Sequence, residues 1–219
     1  MDHFEVNETL ASFQILVDRR EQATPKAIER YKSFGVPYER ATLNYGDYCG
    51  TITIDGAPIY DTSNAVRARC VIERKMSLDE LAMCFTRGRD RFRREMERAA
   101  ANNSVIYLLI ENGSYEAIIN HRYRSKYHPS AFLASLTAWT ARYNLRPVFC
   151  KADTSGALNK EILDRDMKER LARGEYGQRI HKTIQRYSES LDMERPRLSE
   201  GMGGPAHDGE SRRQTDTFQ

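Results

Sequence analysis

Cys70-Val71-Ile72-Glu73-Arg74-Lys75-Met76-Ser77-Leu78-Asp79-Glu80-Leu81 is the stretch on which the fold turns. Its apolar start, running into charge, reads as a short buried strand over 69–75 that ends at a surface. The period then changes. Ser77 and Glu80 fit a capping box, in which the hydroxyl accepts a backbone N–H and the carboxylate reaches back. Leu78, Leu81, Phe85, Phe92, Met96 and Ala99 continue one apolar face at three- and four-residue steps, which predicts helix to about residue 101, bent at Gly88.

The flanking sequence repeats this alternation. Upstream, 13–17 is an apolar run ending at Asp18. Thr24 and Pro25 then open a helix with Ala27, Ile28, Tyr31 and Phe34 at helical spacing, and Gly35 stops it. A second strand is expected over 36–43, a third over 51–54, and Asp55-Gly56 signals a hairpin. Residues 61–68 read as loop. Downstream, 105–111 is the most apolar strand and is expected to be central. A helix from His128 carries Phe132, Leu136, Trp139 and Tyr143 on one stripe; 146–150 is a last strand and 158–172 a last helix. Helices alternating with strands predict a three-layer α/β domain.

At 219 residues the chain is long enough for one domain. With 40% hydrophobic and 30% charged residues, it is neither a membrane protein nor wholly disordered. The mean hydropathy of -0.69 calls for a polar tail. Residues 1–12 lack periodicity and read as a flexible lead-in; 13–175 form the folded domain, and 176–219 a helical end followed by a disordered tail. From Ser188 onward Gly, Pro, Ser and acids leave too little apolar surface to offset ordering. The run 105–110 is too short to span a bilayer, and the opening Met1-Asp2-His3-Phe4-Glu5 is no secretory leader. The expected location is cytoplasmic and nucleoid-associated for a prokaryotic or viral protein, nuclear for a eukaryotic one. Cys49, Cys70, Cys84 and Cys150 show no paired spacing and read as reduced thiols.

Net charge is +3, but 188–219 holds four Lys/Arg against seven Asp/Glu, so the first 187 residues carry +6. Residues 120–151 contain six basic side chains (Arg122, Arg124, Lys126, Arg142, Arg146, Lys151) and no acid. A polyanion is the partner class this implies.

On a strand, Glu73 and Lys75 project together and Arg74 points away. The carboxylate suits a hard cation and the ammonium can orient a water beside it. Taken alone, Glu-x-Lys is most often an exposed ion pair. Here Asp47, after the turn-forming Gly46, supplies a second acid at a neighbouring strand end, and Asp18 and Glu21 are candidate outer acids. Arg89 falls on the Phe85–Phe92 seam and either meets Glu73 or a phosphate or is freed to solvent by Gly88. Arg87, Arg91, Arg93, Arg94 and Arg98 read as a solvated face offset by Glu95 and Glu97, with phosphate contact as the alternative. In the loop Arg122-Tyr123-Arg124-Ser125-Lys126-Tyr127 the basic residues suit phosphates, and the tyrosines either stack on unpaired bases or pack inward. Asp79 reads as a charge on a helix dipole.

In their order, Val17-Asp18-Arg19-Arg20-Glu21, Tyr45-Gly46-Asp47-Tyr48, Val71-Ile72-Glu73-Arg74-Lys75 with Asp79-Glu80-Leu81, and Gly88-Arg89 resemble the nuclease domain of the XPF family. This is the structure-specific endonuclease branch of the PD-(D/E)xK superfamily, and the resemblance covers about 13–163. It implies a three-layer restriction-endonuclease-like fold with a central mixed sheet flanked by helices. It further implies Asp47 and Glu73 as ligands of Mg²⁺ or Mn²⁺, the Arg74 carbonyl as a further ligand, and Lys75 positioning the nucleophilic water. Asp18, Glu21 and Arg89 would surround the site. The implied activity is metal-dependent endonucleolytic cleavage of DNA at branched or single-strand/double-strand junctions, in repair or recombination. The alternative is a non-catalytic DNA-binding or scaffold subunit; a homodimer or a partner subunit is compatible with either. Two departures stand out. The tandem helix-hairpin-helix module common in eukaryotic relatives is not legible after Leu171. The Gln often found shortly after Gly-Arg is replaced by Asp90-Arg91-Phe92-Arg93-Arg94-Glu95.

Overall fold

Residues 3–176 are described by the computed structural model. In chain order they form α1 (His3–Leu10), β1 (Gln14–Asp18), α2 (Pro25–Lys32), β2 (Tyr38–Ala41), β3 (Tyr48–Thr51), β4 (Thr53–Ile54), β5 (Ala57–Pro58) and β6 (Cys70–Lys75). There follow α3 (Leu78–Phe85), α4 (Arg89–Ala101), β7 (Val105–Glu111), α5 (Tyr115–Ile119), α6 (Pro129–Arg142), β8 (Leu145–Cys150) and α7 (Ser155–Ala172). Six strands make one sheet in the order β2-β1-β3-β6-β7-β8. β6, β7 and β8 are parallel, and β3 is antiparallel to both its neighbours, so the sheet is mixed as expected.

The period-two alternation of the strands sorts the core into two halves. Leu16, Val71, Ile106, Leu108 and Ile110 meet Leu81, Phe85, Phe92, Met96, Phe132 and Trp139 of α3, α4 and α6 on one face. Ile15, Val17, Ile72 and Leu109 meet Ala27, Tyr31, Leu163, Met167 and Leu171 of α2 and α7 on the other. This is the three-layer architecture, and it fixes which way each residue at a strand end points.

Local chemistry holds the boundaries. Thr24 caps α2 by accepting from Ala27 N–H, and Ser77 caps α3 by accepting from Glu80 N–H. The Glu80 carboxylate reaches back to Met76 N–H at 2.8 Å, one residue earlier than the box predicts. The expected bend at Gly88 is a full break between α3 and α4, where Gly88 N–H returns to the Met83 carbonyl at 2.9 Å. Asp55 and Gly56, with φ of 51° and 77°, make the β4–β5 turn a primed hairpin.

Some expectations are corrected. β7 is interior but fifth of six, with β3 and β6 at the middle of the sheet; two-sided burial shows an interior strand without giving its rank. Within the supposed lead-in, α1 packs on α7 and buries Val6. One eight-residue helix with so few apolar positions carries no detectable period. α5 is likewise too short to announce itself. The four cysteines are free thiols, and no helix among the described residues is long and apolar enough to cross a membrane. The helical end and tail expected over 176–219 lie outside the described residues, apart from Tyr176.

Candidate active site

The last residues of β6 carry charge to both faces of the sheet. Glu73 and Lys75 share the face covered by α3 and α4 and form a direct ion pair from Lys75 Nζ to Glu73 Oε1. Both are buried, at 4% and 7% exposure. Lys75 is therefore not the solvent-facing group its place at a strand end suggests. Its ammonium also lies 5.1 Å from the centroid of the Phe92 ring. Burial draws the ammonium's pKa down, but Glu73, Cys84 and Asp47 outweigh it, and the net shift is above the ordinary lysine value. Lys75 thus stays protonated through neutral pH. The second oxygen, Glu73 Oε2, is buried with no hydrogen-bond partner among the described residues; such an acceptor costs free energy unless something positive meets it.

Asp47 reaches the same place from the turn before β3. Gly46 has φ of 75°, and a Cβ there would lie 2.8 Å from Val71 Cβ, so only glycine permits the approach. Asp47 N–H donates to the Ile72 carbonyl at 2.8 Å, and Asp47 Oδ2 accepts Arg74 N–H at 2.7 Å. The turn is thereby stitched across β6 on either side of Glu73. Burial, then the charges of Glu73 and Glu21, push the Asp47 carboxyl well above the usual carboxylate range, against the pull of Lys75 and Arg74 N–H.

A third acid on this face is one that sequence reasoning missed. Glu95 of α4, assigned to a solvated surface, is half-buried and accepts Gly46 N–H at 3.1 Å. Burial and the Glu73 charge raise its pKa too. With Glu73, Lys75, Cys84 and Phe92 it lines a cavity of about 360 Å³. Its place beside Phe92 and Met96, at the border of the buried stripe, was the available signal.

The outer residues divide. Asp18 is buried and committed to structure: Oδ1 accepts Arg20 N–H and Nε–H at 2.7 Å, and Oδ2 accepts Leu43 N–H at 2.7 Å. Glu21 accepts from the Tyr48 hydroxyl at 3.2 Å and lies 3.6 Å from Arg74 Nη2. The Arg74 side chain, on the opposite face from Glu73, pairs with Glu111 at 3.1 Å, and Glu111 also takes Arg30 Nε–H at 3.2 Å. Exposed Arg89 donates to the Phe85 carbonyl at 3.1 Å and lies 5.6 Å from the centroid of the Trp139 ring; these take the place of Glu73 as its partners.

In the basic loop, Arg122, Arg124 and Lys126 are exposed and the tyrosines turn inward. The Tyr123 and Tyr127 rings pack on Phe132 at 5.3 and 5.7 Å between centroids. Their hydroxyls are bonded to the Tyr127 carbonyl and to Ser135 Oγ, so both rings pack against the core while staying partly exposed. Asp79 does more than charge a helix end. Its Oδ1 accepts Arg124 and Ser125 N–H at 2.8 and 2.7 Å, tying the loop to α3 directly after Lys75.

Among the described residues, no three His, Cys, Asp or Glu side chains converge tightly enough to hold an ion unaided. The site nevertheless fits a divalent cation, because among the described residues Glu73 Oε2 is buried without a hydrogen-bond partner and, of the three acids, only Glu73 has an ion pair. Two carboxylates and a main-chain oxygen suit an ion that keeps several waters, as Mg²⁺ does.

A mixed six-stranded sheet between two helical layers, with acids and a lysine at the strand ends, defines a restriction-endonuclease-like domain. The ERCC4 domain matches residues 17–158, and the chain belongs to that family, the XPF-type nuclease domains. Its fold is similar to that of XPF from Aeropyrum pernix, with TM-score 0.50 and 17% identity over 78% of this chain and 73% of that one. A second structure, XPF from Aeropyrum pernix in complex with DNA, has TM-score 0.49 and 22% identity over 71% of this chain and 65% of the other. Comparison with curated protein sequences gives no match.

Proposed function

We propose that this protein is a divalent-metal-dependent endonuclease that hydrolyses DNA phosphodiester bonds at branched or single-strand/double-strand junctions, in repair or recombination. The observation that carries the reading is the buried Glu73–Lys75 pair with its free Glu73 oxygen beside Asp47. Membership of the ERCC4 family supports the same reading.

Asp47 and Glu73 would hold Mg²⁺ or Mn²⁺, with the Arg74 carbonyl as a further ligand. When bound, the ion would supply a Lewis acid to stabilise charge developing on the phosphate and the leaving oxygen. Lys75 acts as a donor: protonated and fixed between Glu73 and Phe92, it orients the attacking water and does not take its proton. Gly46 and Glu95 fix where Asp47 sits. Arg122, Arg124 and Lys126 lie on a loop tethered to the same strand-helix unit and would meet backbone phosphates, Arg124 after exchanging its ion pair with Asp79.

The test is cleavage of labelled linear, flap, forked and four-way DNA with Mg²⁺, Mn²⁺ or EDTA. Metal-dependent products from the branched substrates are expected. A protein that binds these substrates but cleaves none with either metal would be a DNA-binding or scaffold subunit instead.

A further inference from the structure

The two flanks of α4 are unlike. With Phe92, Met96 and Ala99 turned into the core, 100° per residue places Glu95, Arg91, Arg98 and Arg94 in succession on one flank, and Arg93, Glu97 and Asp90 on the other. Charges on the second flank neutralise each other: Arg93 lies 3.5 Å from Asp90 and 3.9 Å from Glu97. On the first flank the only acid, Glu95, is turned inward onto Gly46 N–H. Arg91 and Arg94, with Arg87 in the turn before the helix, are exposed and make no ion pair or side-chain hydrogen bond among the described residues. Arg98 alone is engaged, through the Asn44 carbonyl at 3.0 Å.

The unpaired row begins at the site. Arg87 and Arg91 line the same cavity as Glu73, Lys75 and Glu95, and the row then runs away along α4. From Arg91 to Arg94 the helix advances about 4.5 Å, with Arg87 in the turn before it, and one strand of a duplex presents a phosphate about every 3.4 Å of axis. Unpaired guanidinium forks match phosphate oxygens in geometry and charge.

We propose that Arg87, Arg91 and Arg94 form a docking track for the DNA sugar–phosphate backbone that leads a strand to the mouth of the Glu73–Lys75 cavity. This rests on the nuclease reading of the site. It replaces the reading of these arginines as a solvated face, because Glu95 and Glu97, the acids invoked to offset them, are committed elsewhere.

The experiment is fluorescence anisotropy of a labelled forked DNA with the full chain in EDTA, across a salt series, with thermal unfolding of each variant alongside. R87Q/R91Q/R94Q is expected to flatten the slope of log affinity against log salt by about two to three, and each single change by about one. Replacing the three by Lys should restore the slope, and Arg93→Gln, on the paired flank, should leave it unchanged. A triple variant that melts like wild type and keeps the full slope overturns the track but leaves the nuclease reading standing. Wild-type protein that neither binds in a salt-dependent way nor cleaves with Mg²⁺ overturns both.

Discussion

One strand end, β6, carries two charged clusters on opposite faces of the sheet, and their charge balance differs. On the α2 side, Glu111 sits between Arg30 and Arg74, and Glu21 lies against Arg74, so two acids meet two guanidinium groups. On the α3–α4 side, of Asp47, Glu73 and Glu95 only Glu73 has an ion pair among the described residues, with Lys75. Among the described residues the balanced cluster still leaves Arg30 Nη1 and Arg74 Nε without hydrogen-bond partners, but it leaves no acid uncompensated. The acid-rich cluster holds a partnerless carboxylate oxygen and two carboxyls whose pKa values are raised. A cluster built only for stability would be balanced. An excess of buried negative charge is what a cation site looks like before the cation is counted.

Removing Lys75 should break the contrast most severely. Lys75→Ala is expected to abolish cleavage and, by stranding buried Glu73, to cost about 3–5 kcal/mol of stability. Glu73→Gln/Lys75→Met should recover most of that stability and none of the activity. Chemical denaturation and a cleavage time course separate the two, and near-normal turnover by Lys75→Ala would falsify the mechanism. On the balanced face, Arg30→Ala leaves Glu111 with Arg74 and should cost less, about 1–3 kcal/mol, with Mg²⁺ dependence unchanged. An equal loss of metal dependence there would erase the distinction between the faces.

A smaller effect follows from the raised carboxyls. A carboxyl whose folded pKa lies above its unfolded value favours the fold while neutral. The stability it contributes is full below the ordinary carboxylate range and is lost as pH rises through the raised value. In EDTA, Asp47→Asn should therefore be more stable than wild type at neutral pH, with the advantage shrinking on acidification to about pH 4. Melting temperatures across that range test it, and an advantage that grows toward low pH would reverse the sign. Smallest of all, Asp79→Ala should cost about 1 kcal/mol and weaken DNA binding by loosening the 122–126 loop, with hydrogen exchange there as the readout.

The β6–α3 segment was readable because both its signals are local: the change of period, and the side to which each residue of Glu73-Arg74-Lys75 projects. Asp47 was readable through Gly46, whose left-handed turn has a sequence signature. Glu95 showed only its place at the border of the buried stripe, since its role depends on α4 meeting a turn 49 residues away in sequence. Asp18 looked like an outer acid, but its bonds to the backbone and side chain of Arg20, two residues on, are ordinary turn chemistry that uses up its oxygens. Arg122 to Tyr127 displayed its composition in sequence without its facing, which Phe132 decides by taking both rings.

The central claim is that the acid excess on one face of β6 is a divalent-cation centre. The most direct measurement is the melting temperature of wild type, Asp47→Asn and Arg30→Ala as Mg²⁺ or Mn²⁺ is titrated in from EDTA. Ligand that binds only the folded state stabilises it by about 2.7 kcal/mol at a hundredfold excess over Kd. Wild type and Arg30→Ala should therefore melt progressively higher with metal, and Asp47→Asn should not respond. A wild-type protein whose melting temperature ignores both metals, or an Asp47→Asn variant that responds as wild type does, would contradict the account.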